Sequence, residues 1–414
     1  MSQGVNLVEK IKVAVIGAGA SGMMAAIRAA SLGCSVTLYE RKARVGQKLL
    51  VTGNGKCNLS NAKMEINEFY TSMPERVGKI LAQFSVKETI SFFESLGVMI
   101  RNKGGYLYPY PEQANVVLDA LRLRLLELGV LVVCETEIKT LEKKNNQFNV
   151  GSDVFDKVII ACGSMAYGKN DEGESGYEMA ESLGHQVVKL VPGLCKLKCK
   201  EEFLKSLAGV RCWAKLTVLV NGTIKQTEIG ELQFTAQAIS GIPVFQLSRT
   251  AAYALTRGER AIVLVDFFPD MTAAEYEEFC SKRLTLFAER TVAEFLLGMA
   301  NKKINQVMIS LHGLKQNERV SKIGNDKMKG LLDSYRHLKF EVARPDSLAN
   351  AQVCAGGVEL EGLSDDLESL KVPGLFFAGE IIDVDGRCGG YNLQWAWSSG
   401  YVAGSGVKNQ VKND

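Results

Sequence analysis

The chain has 414 residues, 46% hydrophobic and 23% charged, with a formal net charge of +3. This length exceeds one ordinary core, and the balance is that of a globular protein whose weak charge does not point to nucleic acid. No stretch is apolar enough to span a bilayer, and Met1 to Lys10 lacks the pattern of a signal peptide, so a cytoplasmic protein without a membrane partner is expected.

The first element is a strand, Ile11-Lys-Val-Ala-Val-Ile16, β-branched as a central parallel strand requires. Gly17-Ala-Gly19-Ala20-Ser21-Gly22 follows, then a small-residue helix from Met23 to Leu32 that Gly33 ends. A second strand, Ser35 to Tyr39, ends at Glu40. A GxGxxG run alone is weak evidence, but between a strand and a helix it is a dinucleotide fingerprint. Gly17 allows the tight turn, Gly19 lets a pyrophosphate approach the backbone, and Gly22 lets the helix close on the sheet. The helix N-terminus offers free N–H groups to the phosphates. Glu40, at the second strand's end, is placed to accept hydrogen bonds from the ribose hydroxyls and to repel a 2′-phosphate.

Four cations, Arg41, Lys42, Arg44 and Lys48, come next, followed by Thr52-Gly53-Asn54-Gly55-Lys56-Cys57-Asn58. An NAD-binding fold would proceed to its next helix here. In flavoproteins of the glutathione-reductase class this stretch runs along the pyrophosphate and ribityl chain. By itself it also reads as a solvated basic loop. Val86 to Leu96 and Ala114 to Leu128 read as amphipathic helices. Cys134 to Ile138 is expected to be a strand whose backbone lies against the adenine. Phe155 to Gly163 is a strand ending in Ala161-Cys162-Gly163, like the returning strand of those flavoproteins.

Near Pro192 the pattern turns to strand and turn. Ala214 to Val220 leads into Asn221-Gly222, a type I′ hairpin signal, and Ala261 to Phe268 is another strand. Thr272-Ala-Ala-Glu275 is a capping box opening a helical stretch to about Asp333. Gly374 to Glu380 matches the flavoprotein strand that ends in Gly379-Asp and holds the ribityl chain, with Glu380 in place of Asp. Glu380 and Asp383 are both candidates for that contact. Gly386 to Gln394 precedes an apolar helix read over Trp395 to Gly406, whose N-terminus is placed to stabilise negative charge on a reduced flavin.

These segments, in this order, point to non-covalent FAD. The fold class expected is α/β, a Rossmann-type FAD-binding domain interrupted by an inserted β-domain and a small helical domain. Residues 1–190 and 341–414 are assigned to the first, 191–270 to the second and 271–340 to the third. The cofactor contacts expected are Gly17, Gly19, Ala20, Ser21, Gly22, Glu40, Arg41, Lys48, Thr52, Gly53, Asn54, Gly55, Cys57, Asn58, Ile138, Ala161, Cys162, Gly163, Gly379, Glu380, Asp383, Gly390, Tyr391, Asn392 and Leu393. The substrate cleft is expected where the insert roofs the flavin.

The chain also resembles the HI0933-like (YhiN- and BaiN-like) flavoproteins. The resemblance rests on Thr52 to Ser60, Gly230 to Thr235 with Ile239 to Pro243, Gly298 to Lys303, Ala351 to Val358, and Phe377 to Gly400. It departs at Lys56, where the family often has Arg, at Ala236-Gln237, where it has His or Tyr, and at Cys354, where it has Thr. The resemblance implies an FAD-dependent oxidoreductase, with aminoacetone oxidase and 3-oxo-Δ4 bile-acid reductase among the family's labels.

No catalytic residue is assigned. Tyr391 is a candidate proton donor or stacking group, set against a packed core tyrosine. Cys57 lacks the partner of a CxxxxC redox pair, and His312 is a lone histidine in a helical stretch. The ten cysteines form no CxxC pair and the three histidines are far apart, so no metal site is expected. Gly163 to Gly168 lacks the spacing of a second dinucleotide fingerprint. Either NAD(P)H reaches the flavin without its own Rossmann site, or the substrate supplies the electrons. The readings are an NAD(P)H-driven reductase of a conjugated carbonyl compound, an amine oxidase producing H₂O₂, and a flavin-binding redox sensor or a protein acting on RNA, against which the absence of a basic-aromatic stripe argues.

Overall fold

The computed structural model describes residues 10–167 and 174–408, so Gly168 lies outside them. The chain forms two compact units, residues 1–190 with 352–414, and residues 191–351.

The first unit is built on five parallel strands: β1 (Lys12–Ile16), β2 (Ser35–Tyr39), β3 (Leu131–Val133), β4 (Lys157–Ile160) and β5 (Leu375–Phe377). Their spatial order is 3-2-1-4-5. That order reverses between β1 and β4, where open α/β sheets bind ligands beyond the strand ends. Helix α1 (Ala20–Ser31) leaves β1, and α2 (Tyr391–Gly406) closes the chain. β1 and β4 are apolar after their first residues, Lys12 and Lys157, and β5 is apolar throughout, because both faces of the sheet are covered. The two helices touch nearly backbone to backbone. A Cβ on Gly404 would lie 2.5 Å from the carbonyl of Ala25, and one on Gly400 would overlap that of Ser21.

Three expectations about this unit and its boundary change. α2 begins at Tyr391, four residues before the expected start, because left-handed Gly390 (φ +96°) forms its N-cap. The strand after Ala114–Glu127 is Leu131–Val133, and Cys134 to Ile138 is not a strand. Glu135 turns left-handed there (φ +54°), which breaks strand geometry. The return to the first unit comes at Gln352 rather than 341, because Leu338–Pro345 is a strand of the second unit.

That second unit is a closed six-stranded barrel of Leu197–Cys199, Arg211–Val220, Thr223–Phe234, Ala238–Ser240, Ala261–Asp266 and Leu338–Pro345. Asn221 and Gly222 take positive φ at the tip of its long hairpin. Thr272 and Glu275 form the capping box. The helices between 273 and 333 share one core with the barrel, so 191–270 and 271–340 are not separate bodies. Asp266 ties them, pairing with Arg336 at 2.9 Å and Lys215 at 3.2 Å. No helix among the described residues is long and apolar enough to cross a membrane.

Candidate functional site

The fingerprint glycines divide their labour by contact. Gly17 leaves β1 at φ +102°, and a Cβ there would lie 2.5 Å from the carbonyl oxygen of Ala161 at the end of β4. A Cβ on Gly22 would overlap the carbonyl of Gly17. Gly19 differs: a Cβ would meet nothing within 4 Å. It is also the N-cap of α1, with no side chain capping the helix. Free N–H groups and open space therefore meet at one point, the geometry a pyrophosphate needs. Ala20 and Ser21 form the first turn, and the Ser21 hydroxyl donates to the carbonyl of Ala378 at 3.3 Å.

Glu40 sits at the end of β2. Its Oε2 accepts the N–H of Ala18 at 3.0 Å and its Oε1 that of Lys42 at 3.0 Å. These bonds fix the carboxylate and leave further lone pairs for ribose hydroxyls. The 134–138 segment runs beside it, with Thr136 N–H donating to the Glu40 carbonyl at 2.9 Å. Ile138 is buried.

The loop after Leu49 turns through a run of positive φ: Gly53 +57°, Asn54 +58°, Gly55 +82° and Cys57 +56°. The Thr52 hydroxyl donates to Leu49 O at 2.6 Å, so it binds its own loop. Asn58 is 8% exposed, and its Oδ1 is buried without a hydrogen-bond partner. A buried acceptor left unpaired is costly, and a donor on a bound cofactor would satisfy it. Cys57 is fully buried, and burial pushes its thiol up to about 12, which disfavours the thiolate. Burial likewise holds Cys162 at about 12 against the lowering charge of Arg41. A Cβ on Gly163, at φ +74°, would meet open space.

The C-terminal segments close on these loops. Lys48 pairs with Glu380 Oε2 at 2.5 Å, and Glu380 Oε1 accepts Cys354 N–H at 2.9 Å. Gly379 packs against Ser21, where a Cβ would overlap the side chain. Asp383 N–H donates to Val358 O at 2.9 Å. A Cβ on Gly390 would overlap the carbonyl of Ser60. Asn392 clamps Gly386, accepting its N–H at 2.8 Å and donating to its carbonyl at 2.7 Å, which leaves half-buried Leu393 beside it in the first turn. Tyr391 is buried; its hydroxyl donates to Lys63 O at 3.2 Å and its ring meets Phe69 edge-on at 5.8 Å. That is the packed-tyrosine alternative. His312 lies in the second unit as the C-cap of Lys302–Leu311, its pKa lowered by burial. No group of metal-binding side chains occurs among the described residues.

Two features went unpredicted. Gln394 is fully buried and accepts from Ser60 (2.6 Å) and Thr89 (3.1 Å) while donating to Phe84 O (2.9 Å) and Ser398 (3.0 Å). The Ile100–Lys103/Tyr106–Pro109 hairpin also flanks the site: Tyr106 lies against Gly389 and Tyr108 against Gly53. The only sequence signal for it is the Tyr-Leu-Tyr-Pro-Tyr run that follows Arg101 and Lys103.

The sequence profile of the HI0933-like protein Rossmann domain matches residues 11–406. The chain belongs to the HI0933-like family. This HI0933-like protein is 38% identical over 400 residues to a 3-dehydro-bile acid delta(4,6)-reductase of Clostridium scindens, covering 95% of this chain and 98% of that one. It is 28% identical to a ribosomal RNA dihydrouridine synthase of Haemophilus influenzae, over 96% of this chain and 98% of that one. Among solved structures, 3-ketosteroid delta1-dehydrogenase from Sterolibacterium denitrificans is similar in fold, with a TM-score of 0.50 and 13% identity over 95% of this chain and 98% of that one.

Proposed function

We propose that this protein uses NAD(P)H to reduce a carbon–carbon double bond conjugated to a carbonyl. That the chain is an FAD-dependent oxidoreductase follows from its family and its fingerprint; the direction of reaction, electron donor and substrate class are the proposal. The observation that carries it is the open, uncapped N-terminus at Gly19 in a chain 38% identical, nearly end to end, to a reductase of a conjugated ketone. The ribosomal RNA relative supports the same chemistry, since the uracil double bond that becomes dihydrouridine is also conjugated to a carbonyl.

FAD, when bound, supplies hydride transfer at N5. The N–H groups opening α1 would hold its pyrophosphate, Glu40 its adenosine ribose, and Lys48, Glu380 and Asp383 would lie toward its ribityl chain. The N-terminus of α2, capped by no side chain, would supply positive potential to negative charge on a bound flavin. Each turnover adds one hydride and one proton across the double bond and converts NAD(P)H to NAD(P)⁺.

The test is incubation with NADPH or NADH and a 3-oxo-Δ4 steroid acid, with the product read by mass spectrometry. A gain of two hydrogens supports the reading. Peroxide from an amine without added NAD(P)H, or reduction of uridine in ribosomal RNA alone, contradicts it.

A further inference from the structure

A cluster of cations beside the cofactor loop takes no part in the contacts described so far. At its centre is Glu112, left-handed at φ +53°. Its Oε2 pairs with Lys56 at 3.1 Å, and its Oε1 pairs with Arg101 at 3.4 Å and with Lys103. The hydrogen bonds of Lys103 and Lys56 hold the carboxyl down at about 2, so it stays ionised across the physiological range. Three cations thus share one carboxylate, leaving two positive charges in excess. The exposure is graded: the Glu112 side chain is 19% exposed, whereas Lys56, Arg101 and Lys103 are 50, 40 and 43% exposed. The anion lies beneath and the cations face solvent.

Holding like charges together costs free energy that one stabilising ion pair would not. The cluster also joins two segments that border the site: Lys56 comes from the left-handed cofactor loop, while Arg101 and Lys103 come from the hairpin whose Tyr106 abuts Gly389 at the start of α2. Tyr106 and Tyr110 are 40 and 51% exposed, and the Arg101 guanidinium lies 4.6 Å from the Tyr110 ring centre. Two partly exposed tyrosine rings near the candidate flavin site therefore adjoin surplus positive charge.

We propose that Lys56, Arg101 and Lys103, organised by Glu112, recognise the anionic oxygen group, carboxylate or phosphate, of the small molecule that reacts at the flavin. This rests on the reductase reading. The group has two sources: the acid end of an apolar substrate, or the 2′-phosphate of NADPH.

The experiment compares the holoprotein with Arg101→Gln/Lys103→Gln and, from the other segment, Lys56→Gln. Calorimetry measures binding of a 3-oxo-Δ4 steroid carboxylic acid and its methyl ester. Anaerobic stopped-flow measures the concentration dependence of flavin reduction by NADPH and NADH. The expected result is an affinity loss of about tenfold for the acid or for NADPH, the scale of one charge-assisted hydrogen bond, with ester and NADH nearly unchanged. The arm that moves identifies the source. Arg101→Lys/Lys103→Arg should retain binding. Equal loss for acid and ester and for NADPH and NADH, or no loss in any arm, overturns the proposal. Calorimetry needs no turnover, so an acid–ester difference without enone reduction would refute the reductase reading and leave the cluster standing.

Discussion

Lys48 and Glu380, 332 residues apart, meet at 2.5 Å and join the two chain segments that build the Rossmann unit. The other oxygen of Glu380 holds the N–H of Cys354, so one carboxylate fixes three segments. Glutamate's extra methylene, compared with the aspartate expected here, suits this double reach. Both side chains are partly exposed, at 35 and 19%, which limits the energy involved. Glu380→Ala should lower unfolding free energy by about 1–3 kcal/mol, through the lost pair and the orphaned N–H. Glu380→Gln, which keeps one acceptor, should cost less. Urea denaturation checks both, and an unchanged midpoint for Glu380→Ala would refute the structural role.

Gly19 and Gly22 should fail in different ways. Gly19 has φ −79° and open space, so Gly19→Ala should fold normally yet bind FAD at least tenfold more weakly, because the methyl occupies the pyrophosphate's approach. Gly22→Ala forces a methyl into the carbonyl of Gly17 and should cost about 1–3 kcal/mol of stability as overpacking. Thermal melts and FAD titrations of both variants separate the effects.

Glu40→Ala removes the acceptor for ribose and for Ala18 and Lys42 N–H. FAD affinity should fall by about 1.5–3 kcal/mol, the range of hydrogen bonds to a charged group. Equilibrium dialysis reads the change, and undiminished affinity would contradict the assignment.

Tyr391→Phe should leave turnover within a few fold of the parent, because the hydroxyl is spent on Lys63 O. A stability loss of about 1 kcal/mol is expected from that bond. A fall in kcat of about a hundredfold or more, the scale of general acid catalysis, would return Tyr391 to the chemistry.

The buried thiols predict an alkaline limit. Burial raises Cys57, Cys162, Cys199 and Cys212 to about 12 in the folded chain. In the unfolded chain they ionise near about 8.5. Between those values the unfolded state binds fewer protons, so stability is full below about pH 8.5 and declines as pH rises toward 12. Denaturation midpoints at pH 7.5 and 10 measure the loss. Iodoacetamide should label Cys57 only after unfolding.

The turn between β1 and α1 and the acidic end of β2 were legible in the sequence because glycine spacing and strand ends are local signals. Gly17, Gly19, Gly22 and Glu40 fall where that grammar puts them. Contacts between distant segments were not legible. Nothing near Gln394 announces four partners spread over Ser60, Phe84, Thr89 and Ser398. Residues 341–345 of the strand Leu338–Pro345 were expected outside the insert, because the role of that strand is to close a barrel whose other strands lie more than seventy residues earlier. Cys134 to Ile138 has strand-like composition, but its hydrogen bonds to Glu40 and Lys42 and the turn at Glu135 override local propensity.

The most direct measurement is the visible spectrum of the purified holoprotein, taken anaerobically before and after NADPH or NADH and again after a conjugated enone. Bleaching of the flavin band by NAD(P)H, followed by its return with the enone, is the expected result. A band that NAD(P)H leaves unchanged, or that only oxygen restores, would contradict the reductase account.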